Sequence, residues 1–294
     1  MQRLIYENLL GERVTLGGEA PYVLSGVSGV GATGSERIAT RGARQNGATT
    51  RRMTRLERRV KARISIWGAK TRGEMYAARR ELERMLALPR CFDAHSGSMG
   101  RLIYENDAGR YWTYAVPEEA STDGVRWANA LSEVTVAFAC DSPYWNEFAM
   151  QTQVLRMGDE GFSLPFALPF RLGRTEFSAE CENAGAIDAP VCIVVEGSGE
   201  TPEIRNETTG TALRIDRAVA SGERLVIQTD PDTLCATIEH ADGTSESAFG
   251  YLDAQCPVTA FVLRPGRNTL RYVPGKTADH SCVTLTWRTR HEGV

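Results

Sequence analysis

Apolar and polar residues alternate along much of the chain, and the pattern is clearest between residues 201 and 233. Leu213 and Ile215 are separated by one polar residue, and Leu225 and Ile227 recur at the same spacing of two. This period places the apolar side chains on one face, so both runs predict strands with one buried face. Turn-type sequences accompany these runs at residues 206–210, at residues 221–223 and at Asp230-Pro231-Asp232.

The same alternation continues across the C-terminal third of the chain and predicts a β-sandwich. Val283, Leu285 and Trp287 fall on one face of the last run, so we expect Trp287 to be part of the core. Asp242-Gly243 has the composition of a hairpin turn. The additional strands predicted here are Val191–Glu196, Thr259–Leu263 and Val283–Trp287.

The N-terminal half combines predicted strands with an identical six-residue repeat. RLIYEN occurs at residues 3–8 and again at 101–106, and turn-type residues follow each copy. We predict two β-hairpins of the same design within one domain, because so short a repeat does not establish a solenoid. Further strands are predicted at Arg59–Trp67, Gly109–Val116 and Glu133–Cys140.

One helix is predicted, at about residues 72–88. Thr71 followed three residues later by Glu74 forms a capping box, and Pro89 is expected to stop the helix. Its apolar stripe predicts packing against a sheet, and a stripe of this kind is more typical of a core than of a cofactor site. The stripe consists of Met75, Ala78, Leu82, Met85 and Leu86.

Length and breaker residues predict two domains. A chain of 294 residues exceeds the size at which a single core usually stops growing. Proline and glycine recur between residues 146 and 174, as expected of a segment crossing between domains. We predict an N-terminal domain over residues 1–150, a linker and crossover over 151–185, and a C-terminal domain over 186–294.

Composition is ordinary for a globular protein: 42% of residues are hydrophobic, 24% are charged and the net charge is −3. No apolar run is long enough for a membrane span, and no export signal is visible. The overall charge gives no electrostatic reason to bind nucleic acid or an anionic membrane. Seven scattered cysteines without a C-x-x-C pair predict free thiols in a reducing cytoplasm, with a zinc site as a remote alternative.

Two segments stand out in composition. Residues 17–34 are rich in glycine, but no strand-turn-helix context follows, so we predict strands and turns and no phosphate-binding loop. Residues 36–63 hold ten basic and two acidic residues, and we expect a mobile arm leading into the strand at Arg59. Its arginines are predicted at subunit contacts, with DNA in a channel as the rival explanation.

Catalytic motifs are not found. None of His95, His240, His280 and His291 belongs to a recognisable triad or metal-binding motif. Asp230 and Asp232 are a candidate pair of glycosidase carboxylates. They flank a proline in a turn, however, where aspartate is common because its side chain bonds to the backbone. We therefore predict no enzyme and no catalytic, cofactor-binding or metal-binding residues.

Three motifs resemble the distal tail protein (Dit) family of long-tailed, siphovirus-type phages. The first is P-x-I-x-N-x-T-T-G at 202–210, followed by S-G-E-x-L-x-I-x-T at 221–229. The second is the strand ending F-x-C-x-S-P-Y-W at 138–145, and the third is F-x-L-x-P-G-x-N-x-L at 261–270. Residues 162–170, FSLPFALPF, are similar to the linking region of that family.

The resemblance implies a mainly β fold, with an α+β N-terminal domain that has one helix on a β-barrel or sheet and a C-terminal galectin-like β-sandwich. It also implies a structural hub that joins the tail tube to the tail tip or baseplate as a homo-hexameric ring around the channel. The implied partners are further copies of the chain, the tail tube protein and tail-tip hub, lysin or fibre proteins. Neither a membrane nor sequence-specific nucleic acid is expected as a partner. The implied location is the tail tip of the virion, after synthesis in the host bacterial cytoplasm.

Carbohydrate binding is the alternative function. Galectin-like sandwiches can hold a sugar ring against an exposed aromatic side chain. Trp287 is the single tryptophan of the predicted C-terminal domain, and its alignment with Val283 and Leu285 favours a buried role over sugar stacking.

Overall fold

A computed structural model describes residues 2–156, 177–197, 201–255, 257–274 and 281–294. The chain divides into two compact units, which we call unit 1 (Met1–Phe148 with His291–Val294) and unit 2 (Ala149–Arg290). These bounds differ from the predicted ones at two points. Gln151–Arg156 is a strand of unit 2 where a linker was expected, and residues 291–294 belong to unit 1. The predicted linking motif at 162–170 lies outside the described residues.

Unit 1 is a β structure with two helices. Its strands are β1 (Arg3–Glu7), β2 (Arg13–Leu16), β3 (Tyr22–Ser28), β4 (Ser35–Thr40), β5 (Thr49–Arg55), β6 (Arg58–Ile66), β7 (Phe92–Asp93), β8 (Ser98–Asn106), β9 (Gly109–Ser121), β10 (Val125–Trp127), β11 (Ala130–Cys140) and β12 (Trp145–Glu147). Its helices are α1 (Arg72–Met85) and α2 (Leu88–Cys91).

The main sheet of unit 1 runs in the order β2-β1-β8-β9-β11-β6-β3. Its two outer strands meet at a bridge between Gly17 and Val23. There the Gly17 amide donates to the Tyr22 carbonyl at 3.0 Å, and the Leu24 amide donates to the Gly17 carbonyl at 2.6 Å. The sheet therefore returns to its own first strand, in agreement with the predicted β-barrel or sheet.

The two RLIYEN copies pair with each other. In the antiparallel β1–β8 register Ile5 lies opposite Ile103, Leu4 opposite Tyr104 and Tyr6 opposite Leu102. Each copy also begins a hairpin, β1–β2 and β8–β9, as predicted. The turns share one device, since the side-chain oxygens of Asn8 and Asn106 each accept two backbone amides.

Helix α1 has the predicted start and an earlier end. The Glu74 amide donates to the Thr71 hydroxyl at 3.2 Å, which caps the first turn. Met75, Leu82 and Met85 are buried in the core of the unit. The predicted end at residue 88 is wrong, because the helix stops at Met85 and Pro89 lies in the first turn of α2, a position that proline tolerates.

Unit 2 is a two-sheet sandwich. One sheet has the order β13-β23-β15-β18-β19-β20, with β21 beside β15, and the other has the order β14-β22-β16-β17. Their strands are β13 (Gln151–Arg156), β14 (Phe177–Asn183), β15 (Ala189–Glu196), β16 (Glu203–Asn206), β17 (Thr211–Arg214), β18 (Arg224–Gln228), β19 (Cys235–Glu239), β20 (Ser245–Ser247), β21 (Val262–Leu263), β22 (Gly266–Val273) and β23 (Cys282–Trp287). A last short strand, β24 (Arg290–His291), spans the boundary between the units.

The sandwich encloses the apolar residues that the alternation predicted. Leu213, Ile215, Leu225 and Ile227 are all buried in one cluster. The strand predicted at Thr259–Leu263 is largely wrong: Val258–Ala260 is a 3₁₀ turn, and only Val262–Leu263 is extended.

Candidate assembly interface

The basic segment forms a β-hairpin where a mobile arm was expected. Strands β4 and β5 pair with each other in a two-stranded sheet, and we call residues 35–55 the β4–β5 hairpin. Arginine and threonine side chains bond across the strands, as between Arg37 and Thr50 at 2.8 Å and between Arg51 and Thr40 at 3.0 Å. Every residue of the two strands except Thr54 is exposed.

The ten basic residues of segment 36–63 fall into different environments. Arg55 forms an ion pair with Glu292 at 2.6 Å, and Arg59 pairs with Glu57 at 3.0 Å. Among the described residues, no carboxylate pairs with the five remaining hairpin arginines, which are Arg37, Arg41, Arg44, Arg51 and Arg52. The hairpin has a single acidic residue, Glu36. It therefore presents a concentrated, uncompensated positive surface.

Arg58 lies in the interior, which corrects its predicted place at a subunit contact. Its side chain is fully buried. The guanidinium donates five hydrogen bonds of 2.5–3.1 Å to four backbone carbonyls. These carbonyls belong to Gly29, Gly31, Pro143 and Glu292, and we call the arrangement the Arg58 cage. The guanidinium also lies 5.1 Å from the ring centre of the buried Trp145.

Backbone carbonyl dipoles stabilise the positive charge of Arg58 in the cage. Burial lowers the pKa of Arg58 to about 10. The five carbonyl contacts replace the water that the charge loses, which is what a buried cation without a carboxylate partner requires. The Arg58 cage is thus a structural device and leaves no free group for chemistry.

The glycine-rich segment supplies the close backbone approach that the cage needs. A Cβ at Gly29, where φ is +85°, would lie 1.9 Å from the Arg59 carbonyl oxygen. A Cβ at Gly293 would lie 2.8 Å from the Ala32 amide nitrogen. Close backbone packing therefore accounts for both glycines.

Residues 291–294, which we call the return segment, bind unit 1 through several contacts. Glu292 holds Arg55 in a two-point ion pair at 2.6 and 2.8 Å. The Val294 amide donates to the Val30 carbonyl at 3.2 Å, and His291 lies 2.7 Å from Glu147. The return segment thus completes the surface from which the β4–β5 hairpin projects.

The side chains weighed for catalysis have structural partners. Asp230 caps the 3₁₀ turn Pro231–Thr233 and pairs with Arg290, so it is not half of a free carboxylate pair. His240 lies 2.9 Å from Glu223, and the His95 amide donates to the Asp93 side chain at 3.0 Å. His280 and Cys256 lie outside the described residues.

Metal and membrane sites are not found in the part of the chain that the structure describes. No group of three or more histidine, cysteine or acidic residues could hold a metal ion there. The six described cysteines are free thiols. No helix among the described residues is long and apolar enough to cross a membrane.

Trp287 does not offer a ring to a sugar. It is 6% exposed and belongs to the core cluster of unit 2, as its alignment with Leu285 predicted. Its strand lies between β13 and β15, which cover it on both sides.

Sequence reasoning missed an exposed aromatic patch on unit 1. Trp67 is 62% exposed and Trp127 is 68% exposed. Tyr76 and Val125 are exposed as well, and we call these four residues the aromatic patch. Large aromatic side chains are usually buried, so the only sequence signal was the position of both tryptophans next to turns.

Comparison with known proteins assigns the class and then the family. The whole fold is similar to that of the SPP1 Dit protein, described as a paradigm of the hub adsorption apparatus in phages that infect Gram-positive bacteria. That similarity has a TM-score of 0.65 at 14% identity and covers 99% of each chain. A chain of the phage P2 baseplate in its activated conformation with Ca gives a TM-score of 0.55 at 13% identity, covering 100% of this chain and 99% of that one. The fold is therefore that of tail-hub and baseplate proteins.

The family match is independent of the fold. Residues 184–291 match the family model for the siphovirus-type tail component, C-terminal domain. No curated protein sequence matches the chain. Residues 184–291 are thus similar to the C-terminal domain of siphovirus-type tail components, and the predicted resemblance to distal tail proteins is confirmed. The comparisons support a structural role in a phage tail or baseplate and a location in the tail of the virion.

Proposed function

We propose that this protein is the distal hub of the tail, a homo-hexameric ring around the channel that joins the tail tube to the tail tip or baseplate. Unit 1 forms the ring. The observation that carries the proposal is the β4–β5 hairpin, which projects five arginines without a carboxylate partner in the described chain. Arginine is enriched at protein interfaces, so this cluster supports a contact with another protein surface.

The partners in this proposal are further copies of the chain, the tail tube protein and the tail-tip hub, lysin or fibre proteins. The chain is made in the host bacterial cytoplasm and acts without catalysis. DNA in the channel is a poor alternative partner for the arginines. Each phosphate contact adds salt-sensitive affinity, and a channel that transports DNA works best when it does not hold phosphates tightly.

Native mass spectrometry and light scattering test the ring. We expect assembly that depends on protein concentration and a largest closed species of six copies. A strict monomer at every concentration and salt, alone and with its neighbouring tail proteins, would contradict the proposal.

Charge reversal tests the role of the hairpin. Arg51→Glu with Arg52→Glu should weaken assembly, because both side chains are exposed and have no carboxylate partner in the described residues. Arg264→Glu with Arg267→Glu makes the same charge change on exposed residues of unit 2 and should leave assembly intact. Arg58 is excluded from this test, since a substitution in the cage would destabilise unit 1 and so confound a loss of assembly.

A further inference from the structure

The β4–β5 hairpin and the aromatic patch lie at opposite ends of the same pair of strands. The hairpin enters β6 at Arg58, which lies opposite Cys140 of β11. The patch lies where Ile66 faces Leu131, at the other end of that pairing. Strand β6 has 9 residues, so its ends are about 26 Å apart at roughly 3.3 Å per residue. One copy of unit 1 therefore carries two separate and different surfaces.

The aromatic patch lies around one end of the β10–β11–β6 pairing. Trp127 lies opposite Ala130, and Arg126 lies opposite Leu131, whose other neighbour is Ile66, the residue before Trp67. Arg126 donates to the Tyr76 hydroxyl at 3.0 Å, which joins the strand to α1. Asn129 donates to the Lys70 carbonyl at 2.7 Å and fixes the turn beside the two tryptophans. These two hydrogen bonds thus fix the strand, α1 and the turn that carry the exposed rings.

The chemistry of the hairpin matches that of the patch. Across the hairpin Arg37 lies opposite Met53, and Ile38 lies opposite Arg52. Each pair sets a guanidinium beside an exposed apolar side chain, Met53 at 63% and Ile38 at 49% exposure. Guanidinium groups stack on aromatic rings, and methionine and isoleucine pack against them. Tryptophan, tyrosine and arginine are also the residues that dominate binding energy at protein interfaces.

We propose that the β4–β5 hairpin of one copy docks on the aromatic patch of a second copy. The proposal rests on the ring proposed above and names its contact. Two different surfaces at opposite ends of one element give a heterologous, head-to-tail interface, which is the type that closes a ring. Arg126 and Lys70 adjoin the patch through the hydrogen bonds to Tyr76 and from Asn129, so charge does not attract the positive hairpin. Ring stacking and apolar burial have to provide the affinity.

Charge-conserving substitutions separate stacking from ion pairing. Arg51→Lys with Arg52→Lys keeps both charges but removes the planar groups. We expect assembly to weaken in this variant, and in Trp127→Ala roughly 30-fold or more, the scale of an interface hot spot. If the lysine variant assembles like the wild type, the hairpin meets acids and the stacking contact is wrong.

Mixing two full-length variants provides the decisive test. Trp127→Ala keeps an intact hairpin, and Arg51→Glu with Arg52→Glu keeps an intact patch. Alone, each should be largely monomeric, because every head-to-tail contact then has one defective side. Mixed in equal amounts they should form a heterodimer and nothing larger, since one good contact remains between them. Native mass spectrometry resolves the two masses after isotope labelling of one variant.

The outcomes separate this inference from the ring itself. If the wild type assembles and Trp127→Ala assembles equally well, the docking inference fails and the ring stands. If both variants are monomeric and their mixture gives no heterodimer, the occupant of the patch is another tail protein and the second-copy assignment is wrong. A wild type that is always monomeric contradicts both proposals. Circular dichroism and the unfolding midpoint verify folding, and Trp67→Ala replaces Trp127→Ala if the latter does not fold.

Discussion

Arg58 brings a charge into the interior of unit 1 and uses it to hold together four distant pieces of backbone. Its carbonyl partners come from residues 29, 31, 143 and 292. Sequence analysis counted Arg58 among ten basic residues, because local composition cannot show which cation will be surrounded by carbonyls far away along the chain. The flanking glycines are visible in the sequence, but their purpose depends on a backbone contact that only the fold creates.

Arg58→Met should destabilise unit 1 by about 2–4 kcal/mol, since it leaves several buried carbonyls without a donor. Denaturant unfolding followed by the fluorescence of the neighbouring Trp145 measures the loss. Arg58→Lys should recover only part of it, because an ammonium group cannot reach all four carbonyls. Arg59→Met removes an exposed neighbour and serves as the control. Equal midpoints for Arg58→Met and Arg59→Met would contradict the structural role of the cage.

Glu12 links a turn to both helices, and this gives unit 1 a pH dependence. It accepts from Asn8 at 2.9 Å, from Arg84 at 2.9 Å and from Arg90 at 2.8 Å. The Asn8 hydrogen bond first, then the Arg84 hydrogen bond and the charges of Arg84 and Arg90, lower the pKa of Glu12 to about 2. Because the folded pKa is depressed, the stabilisation is present above the unfolded pKa of about 4.3.

The stability from Glu12 should therefore be lost as the pH falls from about 4.3 to about 2. Glu12→Gln should lower the thermal midpoint at pH 7 and flatten its decline over this acidic range. Glu19→Gln changes an exposed glutamate in the neighbouring loop and should leave the profile unchanged. Parallel profiles for wild type and Glu12→Gln below pH 4 would show that Glu12 contributes nothing to the acid sensitivity.

At the level of elements, local patterns were sufficient for strands and for the start of the helix. Alternation located β17, β18 and β23, and the capping box located Thr71 at the start of α1. The errors lie where a short polar or proline-containing segment depends on packing. The β4–β5 hairpin has almost no buried side chain, so no apolar alternation marks it, and Pro89 begins a turn of helix that a sequence rule treats only as an end.

The return segment stabilises unit 1, and its position in the sequence does not reveal this contribution. A variant that ends at Arg290 loses the Glu292 carbonyl from the Arg58 cage and the acid that pairs with Arg55. We expect it to unfold unit 1 at lower denaturant concentration and to leave unit 2 unaffected, measured by hydrogen exchange resolved along the chain. Glu292→Gln keeps the backbone and should have a smaller effect. Unchanged protection at Val30 and Arg58 in the truncated variant would contradict this expectation.

At the level of the whole molecule, the sequence predicted two domains and placed residues 291–294 in the C-terminal one, whereas their contacts group them with unit 1. Alternation marks each core separately, and it carries no information about a segment that leaves one unit and returns to the other. The sequence did not predict the aromatic patch either, because exposed tryptophans indicate a docking surface only when a binding partner is considered.

The alternative function also belongs to this scale. The protein should show no galactoside binding through Trp287 on a glycan array, because that ring is buried within unit 2. Trp287→Ala should instead cost about 3–5 kcal/mol of stability through the cavity it leaves. Sugar-competed binding that disappears in Trp287→Ala while folding stays intact would restore the carbohydrate-binding hypothesis.

The return segment is also the last part of unit 1 to be translated. Residues 1–148 emerge first, but the last carbonyl of the Arg58 cage is translated only after all of unit 2. At about 5–20 residues per second, the nascent unit 1 waits from several seconds to tens of seconds with its cationic interior incomplete. A chain whose translation stops before residue 291 would then lack the return segment beneath its β4–β5 hairpin. In the proposed ring, a copy without residues 291–294 would bring an incomplete Arg58 cage to its neighbour.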